Sequence, residues 1–168
     1  MDLDAQLIEC AYRGDVAGVT RALTSGAHVN AVNKFGATAL MCAAQEGHAD
    51  VTAVLIHFGA DLEYADQYRL TALCQAVSFE QPVIVQMMLD AGAAVDGTIE
   101  DGVTPLAVAA ARGNEVIVRL LLERGAIADR RHKDGWSAWS TAMEKGEERI
   151  ADILKAAGAT EEYPPLRK

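Results

Sequence analysis

Apolar positions along the chain come in paired blocks, and polar stretches containing glycine separate the pairs. The clearest pair is TPLAVAAARG at 104–113, followed by EVIVRLLLERGA at 115–126. The second block has a broad apolar face at helical spacing, formed by Ile117, Val118 and Leu121 among others. The pattern therefore predicts a helix, a turn, a second helix and a loop that begins at glycine.

Two sequence markers recur at one interval of 33 residues. The dipeptide Gly-Ala begins at 26, 59, 92, 125 and 158. A tripeptide that can cap a helix begins at Thr38, Thr71, Thr104 and Ser137. Two markers that share one period indicate an internal repeat. The sequence predicts one domain at 1–160, with five repeats at about 1–32, 33–65, 66–98, 99–131 and 132–160, and a short extended tail at 161–168.

Further markers connect these repeats to a known family. Small residues are paired inside the first helix of a repeat, and glycine follows that helix at 14, 47, 113 and 146. With Thr-Pro-Leu at 104–106 and the leucine run at 120–122, these features resemble the ankyrin repeat over about residues 1–160. The resemblance implies an all-α solenoid of stacked helix-turn-helix units with projecting hairpin-like fingers. The His that the family has after Thr-Pro-Leu is absent, and its places hold Met41, Cys74, Ala107 and Ser140.

The first and last repeats are expected to act as caps. Arg21 takes a second-helix position that is apolar in the central repeats, and Lys155 does the same in the last repeat. Terminal repeats of a stack need such polar outer faces. Pro164 and Pro165 cannot continue a helix, so the tail is expected to be extended.

Charge and composition narrow the function classes. The formal net charge of −9 disfavours nucleic acid and anionic membranes as partners. No apolar stretch reaches the length of a membrane span, and the N-terminus is acidic where a signal peptide would be basic. Three widely spaced cysteines fit buried thiols in a reducing compartment. We expect a cytoplasmic protein that is monomeric alone.

No catalytic pattern stands out in the sequence, so we predict a protein that is not an enzyme and has no cofactor or metal site. The four histidines show no metal-ligand spacing, and the cysteines fall at inner first-helix positions. His48 follows Gly47, where the resembled family commonly has a structural histidine. His28 and His57 are interpreted as plain surface residues.

The resemblance also implies where a partner binds: on the finger tips and on the exposed ends of the first helices, along the concave side. Five of the nine aromatic residues fall at these positions, whereas Trp139 takes an inner position. Exposed aromatics are enriched as interface anchors, although they could instead pack against neighbouring fingers. The candidate binding residues are Tyr12, Arg13, Phe35, Glu46, Tyr68, Leu70, Phe79, Glu100, Asp101, Arg112 and Trp136.

Several functions remain open. The first hypothesis is a stand-alone adaptor or inhibitor that binds a protein partner, and one version is an immunity or antitoxin-like protector that occupies an enzyme. A small-ligand binder or enzyme using the concave groove is a second class, which would need convergent polar groups in a pocket. A structural protein that associates with itself is a third.

The third repeat is irregular, since Arg69 and Glu80 stand where the other repeats have glycine. A left-handed backbone at a residue other than glycine costs roughly 1 kcal/mol, so we predict that the local path changes there. Pro82 supports this interpretation because it restricts the residue before it. The irregularity marks either the partner-contacting centre or drift in a repeat that its neighbours support.

Overall fold

The computed structural model describes residues 2–164, apart from the side chain of Glu100. Over this range the chain forms ten α-helices, one short 3-10 turn and two isolated antiparallel bridges. The bridges join Val32 to Thr38 and Arg131 to Ser137, at the base of two fingers. The predicted all-α repeat fold of the solenoid class is confirmed.

The chain divides into two compact units, called here the first unit (up to Ala93) and the second unit (from Ala94). The helices of the first unit are α1 (Leu3–Arg13), α2 (Val16–Thr24), α3 (Ala39–Glu46), α4 (Ala49–His57), α5 (Ala72–Ser78) and α6 (Pro82–Asp90). The second unit has a 3-10 turn (Glu100–Gly102), α7 (Pro105–Ala111), α8 (Glu115–Glu123), α9 (Ala138–Lys145) and α10 (Glu148–Ala156).

The first helix of each repeat after the first begins where its capping residue stands. Thr38 Oγ1 accepts the N–H of Met41 at 3.2 Å, and the same bond recurs at Thr71, Thr104 and Ser137. Such caps satisfy N–H groups that have no acceptor inside the helix. Pro82 and Pro105 occupy the first turns of α6 and α7, where a missing N–H costs nothing.

Helices pack in two layers within each unit. In the first unit, α1, α3 and α5 stack in one layer, and α2, α4 and α6 form the other. In the second unit, α7 packs on α9 and α8 packs on α10. Ala43, Ala76 and Ala109 are completely buried, so the small residues let helix backbones approach closely. Trp139 is buried, as its inner position predicts.

The end of the second unit is closed by contacts from the chain that follows α10. The ring of Tyr163 meets the ring of Trp139 edge-on, with 5.3 Å between their centroids. Arg131 donates to Thr160 Oγ1 at 2.7 Å and to Glu162 Oε2 at 3.2 Å. Residues 161–164 have no regular secondary structure, and the rest of the predicted tail lies outside the described residues.

The third repeat departs from its sequence prediction, because its backbone keeps the path of the other repeats. Arg69 has a φ of 59° and Glu80 a φ of 55°, both in the left-handed region. The predicted change of path at these residues is therefore wrong. Backbone hydrogen bonds hold the conformation: the N–H of Arg69 donates to Asp66 at 2.9 Å, and that of Gln81 donates to Ala76 at 2.8 Å.

Candidate functional site

A side-chain acceptor at the start of each finger in the first unit fixes how the tip is presented. Asp66 Oδ1 accepts the N–H groups of Tyr68 at 2.8 Å and of Leu70 at 2.9 Å. Asn33 Oδ1 accepts the two corresponding N–H groups at 2.9 and 3.1 Å. Short polar side chains of this kind mimic a turn of backbone and fix its conformation. Both tips therefore hold their aromatic residue outward on an ordered loop.

Five large aromatic side chains of the first unit are exposed to solvent: Phe58, directly after α4, is 39% exposed, and the other four are candidate binding residues. Phe35 and Tyr68, on the finger tips, are 62% and 59% exposed. Tyr12, in the last turn of α1, is 50% exposed, and Phe79, directly after α5, is 48% exposed. Apolar area left in water at successive repeats is typical of an interaction site.

The polar candidates of the first unit are exposed beside these aromatics. Arg13 forms an ion pair with Glu9 one turn earlier in α1, and Glu46 accepts a hydrogen bond from Gln45 at 2.9 Å. Leu70 is half-buried at the base of its finger, so it presents less surface than its predicted outward position implies.

Neighbouring repeats of the first unit place their finger tips side by side, and the ends of their first helices are in contact as well. A carbon atom added at Gly36 would lie 3.9 Å from the backbone nitrogen of Gln67, so the two finger tips are adjacent. At the helix ends, the Nε2–H of His48 donates to the carbonyl oxygen of Tyr12 at 3.0 Å. The structural interpretation of His48 is thereby confirmed.

The candidates of the second unit are arranged differently. Lys133 Nζ lies 2.7 Å from Asp101 Oδ1, and the Lys133 N–H donates to the Asp101 carbonyl oxygen at 3.0 Å. The hydrogen bond from Lys133 lowers the pKa of Asp101. Arg112 is exposed, Trp136 is half-buried, and the side chain of Glu100 lies outside the described residues.

Two sets of contacts between repeats were missed from the sequence. His48, Gln81 and Glu147 lie over a glycine of the preceding repeat, so that a Cβ at Gly14 or Gly47 would fall 2.7 or 2.8 Å from their atoms. In the second set, a short polar residue accepts a backbone N–H from the next repeat, as in Asn30 with Asp61, Asp96 with Ile127 and Asp129 with Thr160. The 33-residue spacing of both sets was the available signal.

His28 is more than the plain surface residue that the sequence suggested. Its N–H donates to Asp4 Oδ1 at 2.7 Å, and its Nδ1 lies 3.1 Å from Asp4 Oδ2. The backbone hydrogen bond is the main reason that the pKa of Asp4 is lowered. His28 therefore ties the loop after α2 to the start of α1.

The thiols are poorly suited to nucleophilic chemistry. Burial raises the pKa of Cys42 to about 11 and also raises the pKa values of Cys10 and Cys74. Because the thiolate is the reactive form, a raised pKa makes these groups less reactive near neutral pH. Cys74 is buried as predicted, whereas Cys10 and Cys42 are only half-buried. All three cysteines are free.

The described part of the chain has neither clustered metal ligands nor a long apolar helix. Between residues 2 and 164, no group of three or more His, Cys, Asp or Glu side chains could hold a metal ion. Nor does any described helix have the length and apolar character needed to cross a membrane.

A groove of about 530 Å³ lies along α8 and α10 in the second unit. Leu122 and Ile153 contribute to its lining, together with Arg119 and Arg149. Both arginines bond to Glu115, at 2.9 and 2.8 Å respectively. The basic side chains of the groove are therefore already bound to a carboxylate.

Comparison with known proteins identifies the repeat type. The family model of ankyrin repeats in three copies matches residues 7–99 and 92–162. A mitochondrial disaggregase of Bos taurus is 44% identical over 63 residues, which is 38% of this chain and 9% of that protein. The inactive serine/threonine-protein kinase TEX14 of Bos taurus is 44% identical over 59 residues, or 35% of this chain and 4% of that protein. The chain thus covers less than a tenth of the length of these relatives.

Proposed function

This chain belongs to the ankyrin-repeat family, a family of protein–protein interaction modules, and we propose from that premise that it is an adaptor or an inhibitor. It acts by binding one protein partner through its finger tips and the exposed ends of its first helices. In this proposal the chain has no catalytic step of its own, because its effect comes from occupying the partner's surface.

The exposed aromatics of the first unit carry this proposal. Tyr12, Phe35, Tyr68 and Phe79 project from finger tips and first-helix ends, the positions at which the family presents its binding surface. Burying one such side chain against a partner removes a large apolar area from water, worth roughly 1.5–3 kcal/mol. A cluster of four is therefore enough to anchor an interface, with Arg13 and Glu46 at its polar rim.

An enzyme is the less favoured class, and a protector of an enzyme is one form of the inhibitor. The raised pKa values of the Cys10, Cys42 and Cys74 thiols argue against covalent catalysis. A protector would use the same aromatic surface to block a partner's active site. The two forms differ in the partner that is bound, so identifying the partner separates them.

We also propose a reducing compartment such as the cytoplasm, and a chain that is monomeric alone. Three free cysteines in a chain of this size support the first point. The net charge of −9 supports the second, because it opposes close approach of two copies. Light scattering at high protein concentration would test the second point, and a dimer mass would contradict it.

The test is affinity capture from the native cell, followed by mass spectrometry. We expect the variant Phe35→Ser, Tyr68→Ser, Phe79→Ser to lose the specific partner. The matched control replaces apolar residues that are equally exposed elsewhere, Val83→Ser, Val116→Ser and Ile127→Ser, and should keep it. Equal capture by the wild type and the aromatic variant would reject the proposed surface.

A further inference from the structure

The first unit places its few basic residues unevenly. Between residues 1 and 93 the chain has eleven Asp and Glu but only four Lys and Arg. Two of these four, Lys34 and Arg69, stand on the two adjacent finger tips, and both are exposed. Within the described residues, no ion pair joins either of them to a carboxylate.

Each of these cations has an exposed aromatic beside it in the chain. Lys34 Nζ lies 4.9 Å from the centroid of the Phe35 ring, within the range of a cation–π contact. Arg69 directly follows Tyr68. Each tip thus combines one positive charge with one large apolar ring.

Arg69 stands at a turn position that is glycine in the three other fingers. Gly36, Gly102 and Gly135 have φ values of 78°, 80° and 83°, and Arg69 has a φ of 59°. A residue with a Cβ pays about 1 kcal/mol or more in this region, where glycine pays none. In all four fingers the N–H of this residue donates to the carbonyl three residues back, so the arginine adds a side chain to the tip and keeps the bond that closes the turn.

We propose that the tips of these two fingers bind a carboxylate side chain that has an apolar neighbour in a protein segment of the partner. The inference rests on the proposed function and specifies the partner's chemistry. Arg69 can form paired N–H···O bonds with a carboxylate, and Lys34 adds a second charge. The rings of Phe35 and Tyr68 take the neighbouring apolar side chain.

The surrounding charge makes this preference selective. The first unit is acidic overall, so it repels proteins that are strongly acidic everywhere. A local acid on a neutral or basic partner escapes this repulsion and still meets the two cations. Complementarity of this kind specifies register and rejects wrong partners.

In the second unit, an ion pair joins two adjacent finger tips. There Lys133 is bonded to Asp101 at 2.7 Å, so the charge on one tip is neutralised by the next. In the first unit the positions that match Asp101 and Lys133 hold Phe35 and Gln67, which carry no charge. Asp66 is occupied by the N–H groups of its own finger. Among the described residues, the finger-tip cations without an ion pair to a carboxylate are therefore those of the first unit.

The experiment selects binders for the whole chain from a displayed library of random short peptides. For the wild type we expect peptides enriched in Asp or Glu next to Phe, Trp or Leu. For Lys34→Glu, Arg69→Glu we expect Lys or Arg at the enriched position instead. Arg21→Glu makes the same type of charge change on α2, away from the fingers, and should select the wild-type peptides.

Affinity measurements with one selected peptide complete the test. Arg69→Gly keeps the left-handed turn and removes only the side chain, so it should bind the peptide about tenfold more weakly. Unfolding curves identify any variant that has lost its fold. An absence of acidic enrichment, or equal affinity in Arg69→Gly and the wild type, overturns the inference.

The aromatic residues separate failure of the inference from failure of the proposed function. Binding that survives charge reversal but is lost in Phe35→Ser, Tyr68→Ser would reject the carboxylate site and leave the protein-binding surface standing. Binding that survives both variants would reject the two together.

Discussion

The fingers at 33–37 and 66–70 have the same backbone but different residues at the turn. Gly36 and Arg69 both donate their N–H three residues back, at 2.9 Å in each finger. In each, the first residue accepts two further N–H groups through its side chain, Asn33 in one finger and Asp66 in the other. The comparison shows that the acceptor side chain and the backbone hydrogen bonds define this turn. Glycine only lowers the strain energy of its left-handed residue.

The residues that end the first helices of the same two repeats, α3 and α5, show the same relationship. After α3, Gly47 has a φ of 80°, and His48 donates its N–H to Ala43 at 2.9 Å. After α5, Glu80 has a φ of 55°, and the next N–H donates to the matching carbonyl at 2.8 Å. Hydrogen bonds to the helix end therefore hold the left-handed residue in both repeats.

The largest expected effect comes from removing the acceptor that holds Arg69 in place. Asp66→Ala leaves two N–H groups without their charged acceptor and should lower the free energy of unfolding by about 2 kcal/mol. Asn33→Ala should cost only about 1 kcal/mol, because a neutral acceptor is weaker and Gly36 favours the turn by itself. Urea unfolding followed by circular dichroism measures both. Equal losses would contradict both the weaker neutral acceptor and the contribution of glycine.

Helix caps should not distinguish the two repeats. Thr38→Ala and Thr71→Ala each remove one acceptor from the first turn of a first helix, with N···O distances of 3.2 and 3.3 Å. Each should lower the free energy of unfolding by about 1 kcal/mol. The same urea titrations apply, and a loss confined to one repeat would contradict the equivalence of their helix starts.

Exchanging the turn residues should move stability in opposite directions. Arg69→Gly relieves about 1 kcal/mol of left-handed strain and loses about half of it to the freedom of glycine in the unfolded chain. The net gain should be about 0.5 kcal/mol, and Gly36→Arg should show a loss of similar size. Thermal unfolding of the two variants checks the signs. A loss in Arg69→Gly would mean that the arginine side chain stabilises the fold.

The smallest expected effect is a difference in acid sensitivity between the units. Asp129 accepts hydrogen bonds from Thr160, and these bonds lower its pKa in the folded state. Its contribution is therefore fully present above its unfolded pKa and is lost as the pH falls through the lower, folded value. Asn30, which makes the equivalent bond to Asp61, cannot titrate.

Two substitutions should exchange the acid sensitivity of these two contacts. With Asp129→Asn, the free energy of unfolding should fall less steeply as the pH drops below about 4, the ordinary range of an Asp carboxyl. Asn30→Asp should introduce a new dependence in the first unit. Unfolding curves recorded from neutral to acid pH make the comparison, and unchanged profiles in both variants would contradict it.

The repeat could be predicted from the sequence because its signals are periodic and local. Thr38 and Thr71 predict helix starts because their side chains can cap a helix, and Gly47 predicts a helix end because glycine readily adopts the left-handed conformation. The conformation of Arg69 could not be predicted in the same way, because bonds made by Asp66 override its own preference. The signal was available, since Asp66 stands 33 residues after Asn33.

The candidate surface shows a similar division. The positions of Phe35 and Tyr68 follow from the period, and their exposure agrees with it. Trp136 is half-buried, and Asp101 is bonded to Lys133. Contacts with other residues of the unit set the exposure of both side chains. Position within a repeat predicts where a side chain starts, whereas its contacts decide how much of it a partner can reach.

The side chains that lie over glycines have a consequence for engineering and evolution. A Cβ at Gly14 would fall 2.7 Å from Nδ1 of His48, and one at Gly113 would fall 2.8 Å from Oε1 of Glu147. Asn114 caps its own helix instead, and Glu80 rather than glycine stands 34 residues before it. Repeats of this protein are therefore not freely interchangeable: where a repeat without this glycine is placed before His48, Gln81 or Glu147, the overlying side chain must shift and gives up its place over the helix end.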